Sequence, residues 1–181
     1  MSTARHHAEW LSLVEASGPF LSLQVLMDAF PQGLEVHDAA QFKVLRQAYE
    51  EWLDNRDTPS IHRAWVEWVL SEVLVFPETV LVTGQGMPTN LQVTITEHQV
   101  TLRSDWAVID PTTKKPRLLI QMMPPDQGLE KTLKGSRWKA SPATGMMELL
   151  HASDVRLGLL TNGEQWMLVN APKGESTGFF S

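Results

Sequence analysis

The chain has 181 residues, 43% of them hydrophobic, no cysteine and a formal net charge of −6. That is enough apolar material for one sizeable core, and the absence of thiols excludes disulfides and Cys-ligated zinc. No signal-peptide pattern is present, and the longest apolar stretch, Trp65 to Phe76, falls short of the roughly 18 residues a membrane span needs and carries Glu67 and Glu72. The expectation is a soluble, cytoplasmic protein with no membrane partner.

The first half reads as helical. His6 to Ala16, with Trp10, Leu11 and Val14, predicts a helix ended by Ser17-Gly18-Pro19, and Ser22 is placed to cap a short second one through Phe30, where Pro31-Gln32-Gly33 breaks the chain. Asp38 followed by Gln41 has the spacing of a capping box, and Phe42, Leu45, Tyr49, Trp52 and Leu53 then recur at helical intervals. Ser60 is the expected cap of the next helix, whose Ile61, Trp65, Trp68, Val69 and Val73 form a wide apolar stripe running to Phe76-Pro77. With indoles on several helices, a satellite core of their own is expected for this region.

The second half reads as strands. Thr79 to Thr83 and the alternating Leu91 to Thr96 come first, punctuated by Gly84-Gln-Gly86 and Pro88-Thr-Asn90. Arg103 to Asp110 and Arg117 to Met123 follow, joined by the turn-prone stretch Pro111 to Pro116, and predict a hairpin. Ser141-Pro142 marks a helix start, with Ser as cap and Pro at the first helical position, leading into Thr144 to Ala152. Val155 to Leu160 and Gln165 to Val169 flank Asn162-Gly163, which predicts a tight type I′ hairpin. Thr177 to Ser181 starts a further strand, and an exposed Phe179-Phe180 so near the end suggests a piece cut from a longer polypeptide. The division expected is a helical region over 1–78 and an α/β core over 79–181.

Charge is unevenly spread. Residues 1–102 hold 5 basic and 13 acidic side chains, a net −8, whereas 103–181 hold 10 and 8, a net +2. Within 114–139, seven basic residues face only Asp126 and Glu130. This asymmetry suggests one face for a polyanion, against the plainer reading of a solvated surface. Lys131, Lys134, Arg137 and Lys139, on a segment leading from loop to helix, are the candidate phosphate contacts.

Ordinary catalytic signatures are weak. His6-His7 lacks a nearby carboxylate, and His37, His62, His98 and His151 lack metal-ligand spacing, so each is expected to be a surface or capping residue. Thr83-Gly84-Gln-Gly86 fits neither the Walker pattern nor a dinucleotide fingerprint. No cofactor is expected in this chain.

The hairpin of 103–110 and 117–123 resembles the central strands of PD-(D/E)xK nucleases, in which the first strand presents a metal-binding Asp and the second Glu-x-Lys. Those positions map here to Asp105, Gln121 and Met123, of which only the first is retained. Several phrases also resemble the N-terminal regions of large bacterial restriction-modification and phage-defence proteins, adenine-specific DNA methyltransferases related to type IIG enzymes: Ser17-Gly-Pro-Phe-Leu-Ser22, Phe30-Pro-Gln-Gly-Leu34, Ala48-Tyr-Glu-Glu-Trp52, Ser141-Pro142, and Leu157-Gly-Leu-Leu-Thr-Asn-Gly163 with Trp166. The last is similar to the end of the nuclease domain in type I restriction subunits.

The resemblance implies an α+β fold in which an N-terminal helical layer packs on a mixed sheet with flanking helices, a restriction-endonuclease-like core. Its second carboxylate and its catalytic cation are replaced by an amide and a thioether, so Mg²⁺, which prefers hard anionic oxygens, has a poor site. The expected role is DNA binding or positioning, or docking of other subunits, in a defence protein whose missing methyltransferase uses S-adenosylmethionine. The alternatives are a live nuclease with an atypical Mg²⁺ site, for which Asp110 and Glu72 are the further candidate ligands, and an acidic interaction or autoinhibitory module.

Overall fold

The computed structural model describes residues 3–18, 20–33 and 38–181, and its fold is α+β. Among the described residues there are five α-helices: α1 (Thr3–Leu11), α2 (Leu23–Ala29), α3 (Ala39–Asn55), α4 (Pro59–Trp68) and α5 (Pro142–Ser153). The strands are β1 (Ala16–Ser17), β2 (Leu81–Thr83), β3 (Gln92–Ile95), β4 (Val100–Arg103), β5 (Trp106–Ile109), β6 (Pro116–Met122), β7 (Leu157–Thr161), β8 (Trp166–Asn170) and β9 (Gly178–Phe180). Seven of them form one mixed sheet in the order β1-β9-β8-β7-β6-β5-β2, and β3 pairs with β4 separately.

The strands β2, β5 and β6 are antiparallel neighbours, and only β6 and β7 run parallel, because α5 carries the chain from one to the other. Side-chain alternation then fills both faces. Ala107, Leu119, Leu160, Met167 and Val169 point to a core shared with Met146, Leu149 and Leu150 of α5 and with Leu102 of the β3–β4 hairpin. Trp106, Ile120 and Leu159 point the other way, against Trp52, Trp65, Val66, Val69 and Leu70 of the helical layer. A sheet covered on both sides explains runs such as Leu118 to Ile120, which a half-exposed strand would interrupt with polar residues.

Local chemistry accounts for most boundaries. Ser22 accepts from the Val25 N–H, Asp38 from Ala40 and Gln41, and Ser141 from Thr144, each capping its helix as anticipated. Ser60 does not cap α4: Thr58 holds that position without a side-chain bond, and Pro59 supplies the first turn, where its missing N–H costs nothing. α4 continues as a π-helical turn over Val69–Val73. α1 stops at Leu11, well before Ser17, because Ala16 and Ser17 pair instead with Phe180 and Phe179.

That pairing also corrects the view of an exposed Phe-Phe, since Phe180 is buried, lies 5.3 Å from the Trp10 ring, and β9 sits between β1 and β8. The Asn162-Gly163 connection is not a two-residue type I′ turn. Thr161 pairs with Trp166, leaving four residues in the loop, and Asn162 Oδ1 accepts from the N–H groups of Glu164 and Gln165. Only Gly163 takes positive φ, +90°. Pro19, Leu34 and His37, invoked in the sequence reading, lie outside the described residues.

The indoles do not form a core of their own; they join the helices to the sheet. Trp52 and Trp65 stack at 5.8 Å, and Trp65 and Trp68 at 5.6 Å. The Trp52 Nε1–H donates to His62 Nδ1 at 3.2 Å, which leaves Nε2 carrying the proton that it donates to Met123 O at 2.8 Å. The Trp65 Nε1–H donates to Gly163 O at 2.8 Å. α3 and α4 are thereby tied to the ends of β6 and β7.

Gly163 is required twice over at this junction, by its positive φ and because a Cβ there would lie 2.6 Å from Trp52 Cζ2 and 2.9 Å from His62 Cε1. Gly163→Ala is expected to lower unfolding free energy by roughly 2–4 kcal/mol, combining left-handed strain with overpacking. Urea denaturation followed by tryptophan fluorescence checks it, and a change under about 0.5 kcal/mol, the size of an ordinary surface effect, contradicts it.

Candidate functional site

The β5–β6 ladder opens at one end, and there Asp105 and Gln121 stand side by side, while Met123 lies in the core. Trp106 pairs with Ile120, so continuing the register sets Asp105 opposite Gln121. The Asp105 N–H donates to Ile120 O at 2.8 Å, and its own Oδ2 accepts from the Met122 N–H at 2.8 Å. Gln121 Nε2 donates to Arg103 O at 3.2 Å. Both side chains thus satisfy backbone groups where the strands part, which is one reason a carboxylate and an amide are found there.

Met123 differs from the other two. It is buried, its N–H donates to Thr161 O, and its carbonyl receives the His62 bond, so it belongs to the core and offers no group to a ligand. Glu72 lies on the π-helical turn, beside Trp68 and Val73, and Asp110 is occupied at the other hairpin end. There its Oδ1 accepts from Thr112 and Thr113 N–H and its Oδ2 meets Arg117 at 2.9 Å.

The donor set at Asp105 does not suit Mg²⁺. It offers one carboxylate with one oxygen already engaged, an amide oxygen and no second anion, and among the described residues no three His, Asp or Glu side chains are grouped to share an ion. The neighbouring charges are instead positive: Arg63 and Arg103 both act on the Asp105 carboxylate. Arg63 is fixed through Nε to Glu67 at 2.9 Å and lies with its guanidinium carbon 4.6 Å above the Trp106 ring.

The candidate phosphate contacts occupy the irregular stretch that leaves β6 and enters α5. Its organiser is Gln127, buried, whose Nε2 donates to Gly128 and Lys131 carbonyls and whose Oε1 accepts from the Lys134 N–H, while its own carbonyl receives Asn162 Nδ2. Lys131, Lys134, Arg137 and Lys139 are all exposed on this frame. Lys134 reaches Asp126 at 2.5 Å and Arg137 reaches Gln99 at 3.0 Å. Both contacts are at the surface, one an exposed ion pair and the other a bond to a neutral amide, and such contacts hold weakly.

Two histidines depart from the surface or capping role expected of them. His62 and His7 are buried rather than exposed, His62 as the link described above and His7 through Nε2 to Phe30 O at 2.9 Å. His98 stacks on Trp138. Neither Arg63, Arg103 nor Ser104 carried a sequence signal, since each reads as an ordinary helix or strand residue until the fold brings them to one cleft. No protein family's sequence pattern matches the chain, and no curated protein or solved structure shows significant similarity to it.

Burial is the largest influence on Asp105 and raises its pKa above the ordinary 3.8, outweighing the Met122 hydrogen bond and the two arginines. Between 3.8 and that raised value the folded chain holds more of this proton than the unfolded chain, so this group's contribution to stability falls as pH rises through the interval. Asp110 has the opposite sign: its turn and Arg117 lower its pKa, and its contribution is lost as pH falls. Asp105→Asn, neutral and still able to accept from Met122, is expected to raise Tm at pH 7. The gain should shrink as pH falls toward 3.8, the ordinary value, and calorimetric scans showing a lower Tm at pH 7 would count against it.

Proposed function

We propose that this chain is a nuclease-like domain that binds or positions DNA, or docks partner subunits, without cutting, within a bacterial restriction-modification or anti-phage protein. The observation that carries the reading is the end of the β5–β6 ladder. Asp105 and Gln121 stand opposite each other there, as the resemblance to a degenerate PD-(D/E)xK hairpin requires, and the strand leads directly into an exposed basic loop. Three antiparallel strands, a crossing helix and a parallel fourth strand around that edge support a restriction-endonuclease-like core. A parent adenine-specific methyltransferase using S-adenosylmethionine belongs to the same proposal.

DNA binding follows from the charge on the loop. A phosphate backbone attracts clustered cations, and the contact releases counterions, so affinity falls steeply with salt. Partner docking is supported by apolar side chains left in water on the helical layer, Val44, Leu74 and Val75 among them. Among the described residues no helix is long and apolar enough to cross a membrane.

If the four cations each neutralise one phosphate, a plot of log affinity against log salt for duplex DNA should have a slope of about −3 to −4. Lys134→Glu with Arg137→Glu should flatten that slope by about two units and weaken binding on the order of a hundredfold at low salt. Fluorescence anisotropy with a short duplex measures both, and supercoiled plasmid incubated with Mg²⁺ or Mn²⁺ should stay intact. No binding at low ionic strength, or cleavage that Asp105→Ala abolishes, overturns the reading.

A further inference from the structure

Beside the open end of the β5–β6 ladder lies a cleft of about 440 Å³, with Arg63, Thr83, Gln92, Arg103, Ser104 and Asp105 in its wall. Ser104 is only 7% exposed, and its hydroxyl is sealed from solvent without a hydrogen-bond partner. A buried hydroxyl left unpaired is unusual in a folded protein and points to a group that arrives from outside. Arg63 uses Nε for Glu67 and lies on the Trp106 ring, and Arg103 is exposed, with a coulombic influence on Asp105 but no side-chain hydrogen bond among the described residues. Asp105 uses Oδ2 for the Met122 N–H, and Oδ1 has no hydrogen-bond donor among the described residues.

We propose that this cleft is a metal-free seat for a phosphate monoester, either a terminal phosphate of a nucleic acid or a free nucleotide. Two guanidinium groups supply donors for phosphate oxygens, fork-shaped guanidinium groups suit such oxygens in pairs, and rotation of the Ser104 side chain toward the cleft brings its unpaired hydroxyl to the same anion. Asp105 decides which anion enters. A carboxylate repels a fully deprotonated anion but accepts a hydrogen bond from one that keeps a P–OH. A monoester near its second pKa, about 6, has that proton; a sulfate ion or an internal phosphodiester does not. The seat is separate from the basic loop and does not depend on whether that loop holds a duplex.

The test is calorimetric titration of the 181-residue chain at pH 6 with inorganic phosphate, with 5′-AMP and with sulfate. Phosphate and AMP should bind, sulfate on the order of tenfold more weakly or worse, and Arg103→Gln, a change at an exposed side chain, should weaken phosphate on the order of tenfold. Asp105→Asn, which can donate as well as accept, should narrow the gap between phosphate and sulfate. A 5′-phosphorylated oligonucleotide beside its 5′-hydroxyl twin separates the sources: preference for the phosphorylated strand identifies a nucleic-acid end, and equal binding of the two with AMP retained identifies a free nucleotide. No phosphate binding, equal affinity for phosphate and sulfate, or an affinity unchanged in both Arg103→Gln and Ser104→Ala overturns the proposal. The Lys134→Glu, Arg137→Glu chain should keep its phosphate affinity, so failure of duplex binding and failure of this seat are read separately.

Discussion

The imidazole of His62 sits between an indole and a carbonyl, and the seating of α3 and α4 on the sheet follows from it. Trp52 donates to one ring nitrogen and the other donates to Met123 O, while Trp65 reaches Gly163 O from the same layer. Apolar packing of Trp52, Val66 and Leu70 on Trp106 and Ile120 supplies attraction but little direction. The polar bonds supply the direction, because a buried N–H or carbonyl left unpaired costs more than an imperfect hydrophobic contact. One consequence reaches the candidate site: Arg63 follows His62 on α4, so fixing the imidazole sets the guanidinium over Trp106 and near Asp105.

At the site itself, the chemistry is governed by what the strand ends must satisfy. Where β5 and β6 part, the Met122 N–H is met by Asp105 Oδ2 and Arg103 O receives Gln121 Nε2. Desolvation makes the Asp105 charge expensive, and the arginines only partly offset it. Such an environment suits an anion that brings a proton with it better than a divalent cation wanting several carboxylates.

The loop between β6 and α5 solves a different problem. It has no helix or strand to pair its backbone, and buried Gln127 takes over, its amide serving carbonyls and an N–H that would otherwise compete for water. Asn162 joins that frame to the β7–β8 turn. With the interior of the loop fixed by neutral amides, its lysines and Arg137 are displaced outward, whereas Lys114, Lys115 and Arg117 lie at the opposite, turn end of the β5–β6 hairpin.

Much of the framework was legible because it depends on local patterns. The caps Ser22, Asp38 and Ser141 carry their own hydrogen-bonding logic, the strands of the 105–121 hairpin are joined by a turn that holds Pro111 and Pro116, and the apolar runs of β6 and β7 read as strands. The sequence by itself therefore determined the α+β class, most helix starts, the pairing of Asp105 with the Gln121 strand, and the charge imbalance. Tertiary structure alone decided what the indoles and His62 do, that β1 and β9 close one side of the sheet, and that Arg63, Arg103 and Ser104 share a cleft. Periodicity reports which way a side chain faces along its own element. Which element it meets depends on how both faces of the sheet are covered, and only the folded chain fixes that.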